Sequence, residues 1–174
     1  YNSHIGLVGR LEGGTVKNLI LNSATLDGYA NVGGIAGSAT QNDDGTKSPI
    51  ISNVTVNTFN YSHTKKFDTA SNGIDTNVYN IGAIAGKVEN ATLSNLTASG
   101  NIAVNLIANN NSYDDVDVRN IGGLFGRIDN SSLDTASSSV TINIDVLVKA
   151  AVNYGNESQI KDVGGLVGYG YRNS

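Results

Sequence analysis

Hydrophobic and polar positions along the chain form a short sequence pattern, here called the glycine phrase, that occurs five times. The phrase consists of a β-branched residue, one or two small residues, an apolar pair and a final glycine. A phrase that recurs in this way indicates a repeat protein, in which each copy forms one unit of a stacked array. The spacings between the final glycines are 28, 49, 40 and 42 residues, and these glycines are Gly9, Gly37, Gly86, Gly126 and Gly168.

A second phrase follows most glycine phrases and contains an apolar residue, a spacer, an asparagine and another apolar residue. It occurs around Asn18, Asn53 and Asn95, whereas Thr135 takes the place of the asparagine in the fourth unit. Like side chains stack on one another in parallel in-register strands, and stacked asparagines form ladders of amide hydrogen bonds. We therefore expect Asn18, Asn53 and Asn95 to form a ladder at an interior turn.

A third stretch alternates apolar and polar residues, at 102–106 in one unit and 142–148 in the next. Alternation with period two is typical of a strand with one buried face. The pattern therefore predicts three strands in each unit. If each strand stacks on its copy one turn later, the fold is an all-β parallel β-helix, or β-solenoid. We expect one such domain over residues 1–174. A β-propeller, whose blades need steadier spacing, is the second choice.

The repeated glycines are expected to have a structural role at tight corners. Glycine lacks Cβ, so it adopts positive φ and lets neighbouring backbone approach closely. A phosphate-binding loop would need G-x-G-x-x-G between a strand and a helix, or a lysine after the second glycine. None of the five copies supplies that context, so phosphate binding is not predicted.

Polar insertions separate the phrases, at residues 38–49, 57–79, 109–119 and 153–161. Most of them precede a glycine phrase, so the prediction is that long loops gather along one edge of the solenoid. Loops on a rigid scaffold often carry binding residues. The longest insertion concentrates aromatic and basic side chains, and the predicted partner-binding residues are Phe59, Tyr61, His63, Lys65, Lys66, Phe67 and, from the next insertion, Tyr113. In the alternative interpretation, Phe59 and Phe67 fold back to cap their own loop.

Two acidic clusters place hard oxygen ligands close together in sequence. Such oxygens are the ligands that calcium prefers, and the candidates are Asp43, Asp44, Asp114, Asp115 and Asp117. Neither cluster matches the spacing of an EF-hand loop or of the calcium-binding nonapeptide repeat. Solvated turns are the other interpretation, because Asp, Asn and Gly favour turns. Calcium is thus the one ion considered, and no other cofactor is predicted.

Composition and charge exclude several function classes. The net charge of -4 argues against nucleic-acid binding, which requires a basic surface. No apolar run approaches the roughly 20 residues that span a bilayer. The absence of cysteine excludes thiol nucleophiles and thiolate metal sites, and neither H-E-x-x-H nor G-x-S-x-G occurs. Catalysis is not predicted, although strands could still bring two distant carboxylates together for glycoside cleavage.

Nearly the whole chain resembles the GLUG repeat, most strongly over residues 5–37 and 80–96. The resemblance rests on Gly6-Leu7-Val8-Gly9, Gly14-Thr15-Val16-Lys17-Asn18-Leu19 and Asn31-Val32-Gly33-Gly34-Ile35-Ala36-Gly37. This repeat is found in large bacterial surface proteins, including filamentous adhesins and the N-terminal regions of streptococcal IgA-cleaving zinc metallopeptidases. The resemblance implies a right-handed parallel β-helix at the bacterial cell surface, and it implies no catalytic residue.

Together these observations predict a non-catalytic extracellular segment of a larger bacterial surface protein, acting as an adhesin stalk or an adhesive module. Its expected partners are a host or neighbouring-cell protein or glycan, and adjacent repeats of the same chain. Two alternatives stay open. One is an accessory substrate-binding domain of a surface zinc metallopeptidase, and the other is a carbohydrate-active β-helix.

Overall fold

The computed structural model describes residues 3–67, 77–108, 116–148 and 159–172. These residues form strands and turns and contain no helix. The strands are β1 Val8–Glu12, β2 Thr15–Leu21, β3 Ala24–Leu26, β4 Ala30–Gly33, β5 Ala36–Thr40, β6 Ile50–Phe67, β7 Val78–Gly82, β8 Ala85–Glu89, β9 Thr92–Ala108, β10 Asp117–Gly122, β11 Phe125–Asp129, β12 Ser132–Val148, β13 Gln159–Gly164 and β14 Val167–Tyr171.

The strands stack in three sheets, and every pair is parallel. Sheet 1 has the order β1-β5-β8-β11-β14, sheet 2 the order β4-β7-β10-β13, and sheet 3 the order β2-β6-β9-β12, with β3 also paired with β6. One coil consists of a strand from sheet 2, then sheet 1, then sheet 3. The described residues contain three such complete coils (coils 2, 3 and 4), preceded by coil 1 with β1–β3 and followed by coil 5 with β13 and β14. The predicted all-β solenoid is confirmed.

The final glycine of each repeated phrase lies near the start of a sheet 1 strand, and in coils 2 to 5 it faces the preceding coil. A Cβ on Gly126 would lie 2.4 Å from the backbone carbon of Asn80 and from the nitrogen of Ile81. A Cβ on Gly86 would meet Asn31 one coil earlier at 2.5 Å. These glycines therefore allow sheets 1 and 2 to approach closely. The positive φ expected at them is wrong, because among the described glycines only Gly13, Gly45 and Gly100 adopt it.

Asparagines adopt the positive φ instead. Asn80 has φ 59° in sheet 2, and Asn53 and Asn95 have φ 52° in sheet 3. This left-handed conformation costs most residues about 1–2 kcal/mol, whereas asparagine visits it more readily. It resets the alternation of the strand, so that Leu93 and Leu96, three residues apart, both point into the core and are 1% exposed. This geometry explains the phrase of an apolar residue, a spacer, an asparagine and an apolar residue.

The connections between sheets 3 and 2 all leave the solenoid at one corner. Strands β6, β9 and β12 end in register, with Phe67 opposite Ala108 and Ala108 opposite Val148. Segments 68–76, 109–115 and 149–158, which follow these strands, lie outside the described residues. Coil 1 makes the same connection with residues 27–29 alone. The prediction of one edge for all insertions is wrong for residues 41–49, which connect sheet 1 to sheet 3.

Candidate functional site

Residues 57–67, predicted as part of a contact loop, continue strand β6. Phe59 and Tyr61 are 0% exposed and His63 is 5% exposed. Tyr61 lies opposite Ile102, and His63 opposite Val104, in the inward-facing positions of the next coil. The prediction of exposed partner-binding side chains is therefore wrong for Phe59, Tyr61 and His63, and so is the alternative loop cap at Phe59. These residues alternate like the stretch at 102–106 in the next coil, with which they pair, and their aromatic side chains lie in the core.

A cluster of five polar and aromatic side chains surrounds the short connection of coil 1. We call Asp27, Tyr29, Tyr61, His63 and Lys65 the Asp27 corner. His63 Nδ1 lies 2.6 Å from Asp27 Oδ1, and the Tyr29 ring contacts the His63 ring edge-on with centroids 4.7 Å apart. Lys65 Nζ donates to the Tyr29 hydroxyl at 3.2 Å and lies 4.9 Å from the Tyr29 ring centroid. This network ties the outer half of β6 to residues 27–29.

Burial alters the acidity of Tyr61 in the Asp27 corner. Burial, with a smaller contribution from the negative charge of Asp27, raises the pKa of Tyr61 far above its usual value. The Tyr61 hydroxyl therefore stays protonated and donates to the Gly28 carbonyl oxygen at 2.7 Å. His63 Nε2 is buried and has no hydrogen-bond partner. The Asp27 side chain is 67% exposed, so it is an acidic group that this corner presents to solvent.

Three further predicted contact residues have no described side chain. The backbone of Lys66 and Phe67 belongs to β6, but their side chains lie outside the described part of the structure. Tyr113 lies outside it altogether, as do the predicted metal ligands Asp114 and Asp115. The role predicted for these five residues stays a prediction.

The remaining predicted calcium ligands lie in two separate parts of the solenoid, and two of them, Asp44 and Asp117, have protein partners. Asp44 Oδ1 accepts hydrogen bonds from the Thr46 hydroxyl at 2.5 Å and the Thr46 amide at 2.9 Å, and these bonds hold the pKa of Asp44 below its usual value. Asp43 is exposed in the same turn. Asp117 begins β10 in sheet 2, where it pairs with Arg119. Within the described ranges, no three His, Cys, Asp or Glu residues are grouped so as to hold a metal ion.

Sheet 1 carries a strip of ion pairs that the sequence-based predictions missed. Each pair joins a basic residue and an acidic residue two positions later on the same strand. The distances are 2.8 Å for Arg10–Glu12, 2.9 Å for Lys87–Glu89 and 2.7 Å for Arg127–Asp129. The pairs also stack across coils, because Arg127 lies opposite Lys87 and Asp129 opposite Glu89. The available signal was the basic-x-acidic triplet directly after the glycine in three of the five repeats.

In coil 5, tyrosines occupy the positions of this charged strip. Tyr169 lies opposite Arg127, and Tyr171 lies opposite Asp129. The Arg127 guanidinium carbon is 5.4 Å from the Tyr169 ring centroid, which is within the range of a cation–π contact. Next to Tyr171, a cavity of about 520 Å³ is lined by Asn130, Ser131, Ser132 and Arg172. The strip thus changes from ionic to aromatic towards the end of the solenoid.

The predicted asparagine ladder is present but faces outward. Asn53 Nδ2 donates to Asn18 Oδ1 at 3.0 Å, and Asn95 Nδ2 donates to Asn53 Oδ1 at 2.8 Å. All three side chains are exposed on sheet 3, so the expected position at an interior turn is wrong. The positive φ turns each asparagine outward while its apolar neighbours point inward.

A second ladder, in sheet 2, is buried. Asn80 Nδ2 donates to Asn31 Oδ1, and Asn120 Nδ2 donates to Asn80 Oδ1, both at 2.8 Å. The three residues are 5–8% exposed, and Asp162 takes the next position with φ 57°. The signal for this ladder was the asparagine directly before the glycine phrase, at Asn31, Asn80 and Asn120.

The two ends of the described solenoid expose residues that are buried in the middle coils. Ile35, Ile84 and Leu124 occupy the same position in coils 2, 3 and 4 and are 0% exposed. At the equivalent position, Leu7 in coil 1 is 62% exposed and Leu166 in coil 5 is 39% exposed. The exposed ends therefore consist of core positions that lack a neighbouring coil among the described residues.

No family model, curated protein or solved structure matches this chain. Among the residues that the structure describes, no helix is long and apolar enough to cross a membrane.

Proposed function

We propose that this chain is a non-catalytic, extracellular β-solenoid segment of a bacterial surface protein. It acts as a stiff spacer that holds contact segments for a host or neighbouring-cell protein or glycan. The stacked parallel coils supply the stiffness, and the insertions supply the contacts. The observation that carries the proposal is the common corner from which segments 68–76, 109–115 and 149–158 leave β6, β9 and β12.

Stiffness along the solenoid axis is supported by the hydrogen bonds between coils. Each coil adds about 4.8 Å of length, and every strand of coil 3 hydrogen-bonds its copies in coils 2 and 4. The buried asparagine ladder connects coils 2, 3 and 4 through hydrogen bonds of 2.8 Å between side-chain amides. Such bonds are strong because the low-dielectric interior offers the amides no competing water. A unit built in this way keeps a constant rise per coil.

The common corner is supported as the contact region by a difference between coils. Coil 1 joins sheet 3 to sheet 2 with residues 27–29, so a short connection satisfies the fold. In coils 2, 3 and 4 the sheet 3 strand continues six residues past the position of Leu26, to Phe67, Ala108 and Val148, before the longer segments begin. Since the fold does not require this extra length, a role in binding explains it, and loops on a rigid scaffold are well suited to that role.

The test replaces residues 62–78, 103–118 and 143–160, which lie between the positions equivalent to Leu26 and Ala30, with the Asp-Gly-Tyr connection of coil 1 in one variant. The purified chain and the variant are then screened against arrays of glycans and immobilised extracellular-matrix proteins. A matched control, Lys87→Ser, changes sheet 1 to the serine that already occupies that row at Ser38. We expect the chain and the control to bind at least one ligand, and the shortened variant to lose that binding while keeping the circular dichroism of a β-solenoid.

Two results would contradict the proposal. One is a shortened variant that binds as tightly as the unmodified chain, since contacts would then lie elsewhere. The other is an unmodified chain that binds no component of either array. Cleavage of a glycan by the purified chain would instead favour the carbohydrate-active β-helix.

A further inference from the structure

The outward surface of sheet 3 carries amides and hydroxyls, and no charge, over the middle of β6, β9 and β12. In these strands the apolar residues point into the core and the residues between them point to solvent. On β12 charged residues resume at Asp134 and Asp145, on either side of this surface. We call its twelve outward residues the polar face, and they are Asn53, Thr55, Asn57 and Asn60 in coil 2, Asn95, Thr97, Ser99 and Asn101 in coil 3, and Thr135, Ser137, Ser139 and Thr141 in coil 4.

The other two sheets differ from the polar face because they carry ionic groups. Sheet 1 has the strip of three ion pairs described above, and Asp117 pairs with Arg119 on sheet 2. Outward positions of this solenoid therefore tolerate charge. Segments 53–60, 95–101 and 135–141 nevertheless contain no charged residue. Since the fold does not require that absence, contact with an uncharged partner explains it.

The side chains of the polar face form a regular array. Strand pairing places Thr55, Thr97 and Ser137 in one row that runs across the coils. The repeat is about 4.8 Å between coils and about 6.8 Å between alternate residues of a strand. Hydrogen bonds hold the rows together, from Asn95 Nδ2 to Asn53 Oδ1 at 2.8 Å and between the Thr97 and Ser137 hydroxyls at 3.3 Å. Side-chain ladders of this kind keep a sheet flat.

The groups of the polar face keep hydrogen-bonding capacity towards solvent. Asn53 donates one hydrogen bond to Asn18 and accepts one from Asn95. A side-chain amide has two N–H donors and two acceptor lone pairs, so one of each remains, and a hydroxyl also both donates and accepts. A matching partner is therefore uncharged, repeats in two directions, and both donates and accepts hydrogen bonds.

We propose that the polar face binds the surface of ice. Water molecules in ice are uncharged, both donate and accept, and repeat in two directions at spacings close to those of a parallel β-sheet. A charged side chain is costly to remove from liquid water, which accounts for the absence of charge. The ladders order the side chains in advance, and this lowers the entropy lost on binding. A neutral polysaccharide is less well matched, because sugar sites, like other small-molecule sites, are lined mainly by apolar and aromatic side chains and the polar face contains no aromatic one.

The experiment measures thermal hysteresis, the gap between the melting and freezing temperatures of an ice crystal in the protein solution, and records the shape of the crystal. The unmodified chain is compared with Thr97→Lys, in the middle of the polar face. The matched control Thr40→Lys makes the same change on sheet 1, where residue 40 lies opposite Glu12. We expect hysteresis and faceted crystals from the unmodified chain and the control. Thr97→Lys should reduce the hysteresis at least about 10-fold, because its ammonium group would lose water against the ice.

Two further variants keep the test conclusive. Circular dichroism checks folding, and Asn101→Lys, at an exposed position of the polar face, replaces Thr97→Lys if the latter does not fold. Thr97→Ser keeps a hydroxyl in the row, as Ser137 does in the next coil, and should retain at least about half of the hysteresis.

Three results would overturn the proposal. One is an unmodified chain that gives no hysteresis and rounded crystals. Another is a folded Thr97→Lys or Asn101→Lys variant equal to the unmodified chain, since ice would then bind elsewhere. The third is retention of the chain on crystalline cellulose or chitin that is lost in Thr97→Lys, without any hysteresis, which would favour a neutral polysaccharide as the partner.

Discussion

Coils 3 and 5 are built from the same repeated phrase but differ in what surrounds them. Ile84 in coil 3 is fully buried, whereas Leu166 at the same position in coil 5 is 39% exposed. Coil 3 carries the Lys87–Glu89 ion pair in sheet 1, and coil 5 carries tyrosines in that place. The comparison teaches that the phrase determines the backbone path, whereas the energy of each coil depends on its two neighbours.

The largest expected effect is the difference in stability between two leucine-to-alanine variants at equivalent positions of coils 4 and 5. Leu124→Ala in coil 4 should lower the free energy of unfolding by about 2–5 kcal/mol, because it creates a cavity at a site that is 0% exposed. Leu166→Ala in coil 5 removes the same atoms from a site that is already partly in water, and should cost about 1 kcal/mol or less. Urea denaturation followed by circular dichroism measures both. Equal losses would show that the end of the stack is covered in solution.

The next effect contrasts two glycines. Gly126→Ala in coil 4 should cost about 1–3 kcal/mol, because its Cβ would lie 2.4 Å from the backbone of Asn80 and Ile81. Gly165→Ala in coil 5 meets nothing within 4 Å and should be neutral, or stabilising by up to about 1 kcal/mol. Thermal melting of the two variants beside the unmodified chain tests this difference. A destabilised Gly165→Ala variant would contradict the open surroundings of that glycine.

A smaller difference in stability is expected between substitutions in the middle and at the end of the buried asparagine ladder. Asn80→Ala should cost about 1–3 kcal/mol, because it leaves the amides of Asn31 and Asn120 without their partner in a buried site. Asp162→Asn should instead stabilise the chain by about 0.5–1.5 kcal/mol. The ladder needs a donor in coil 5, and an ionised carboxylate has none. Urea denaturation at neutral pH measures both variants, and a destabilised Asp162→Asn variant would show that the ladder ends at Asn120.

The sequence predicted the repeat architecture well because the glycine and asparagine phrases impose local geometry. It did not show which residue adopts positive φ, since glycine and asparagine both tolerate that conformation. It also missed the strand at residues 57–67. The alternating residues there include His63 and Lys65, which are polar, so the alternation did not stand out as a buried face.

The candidate site was less predictable than the fold. Aromatic and basic residues in one polar stretch suggested an exposed loop, but burial depends on register with the next coil. Tyr61 lies opposite Ile102. Gly100 leaves room for the backbone of Phe59, because a Cβ on residue 100 would lie 2.0 Å from the Phe59 carbonyl oxygen. That register depends on which strands pair, which only the folded chain shows. The ion pairs of sheet 1, by contrast, have a sequence signal in the basic-x-acidic triplet that follows the final glycine in three of the five repeats.

The central claim is that neighbouring coils, rather than the phrase itself, stabilise each coil. Hydrogen exchange followed by mass spectrometry, at a concentration where sedimentation shows monomers, tests it most directly. Amides of β8 in coil 3 should exchange most slowly, and amides of β1 and β14 should exchange at least about 10-fold faster, because local opening is easiest at the ends of a stack. Equal protection of β8 and β14 in the monomer would contradict the account.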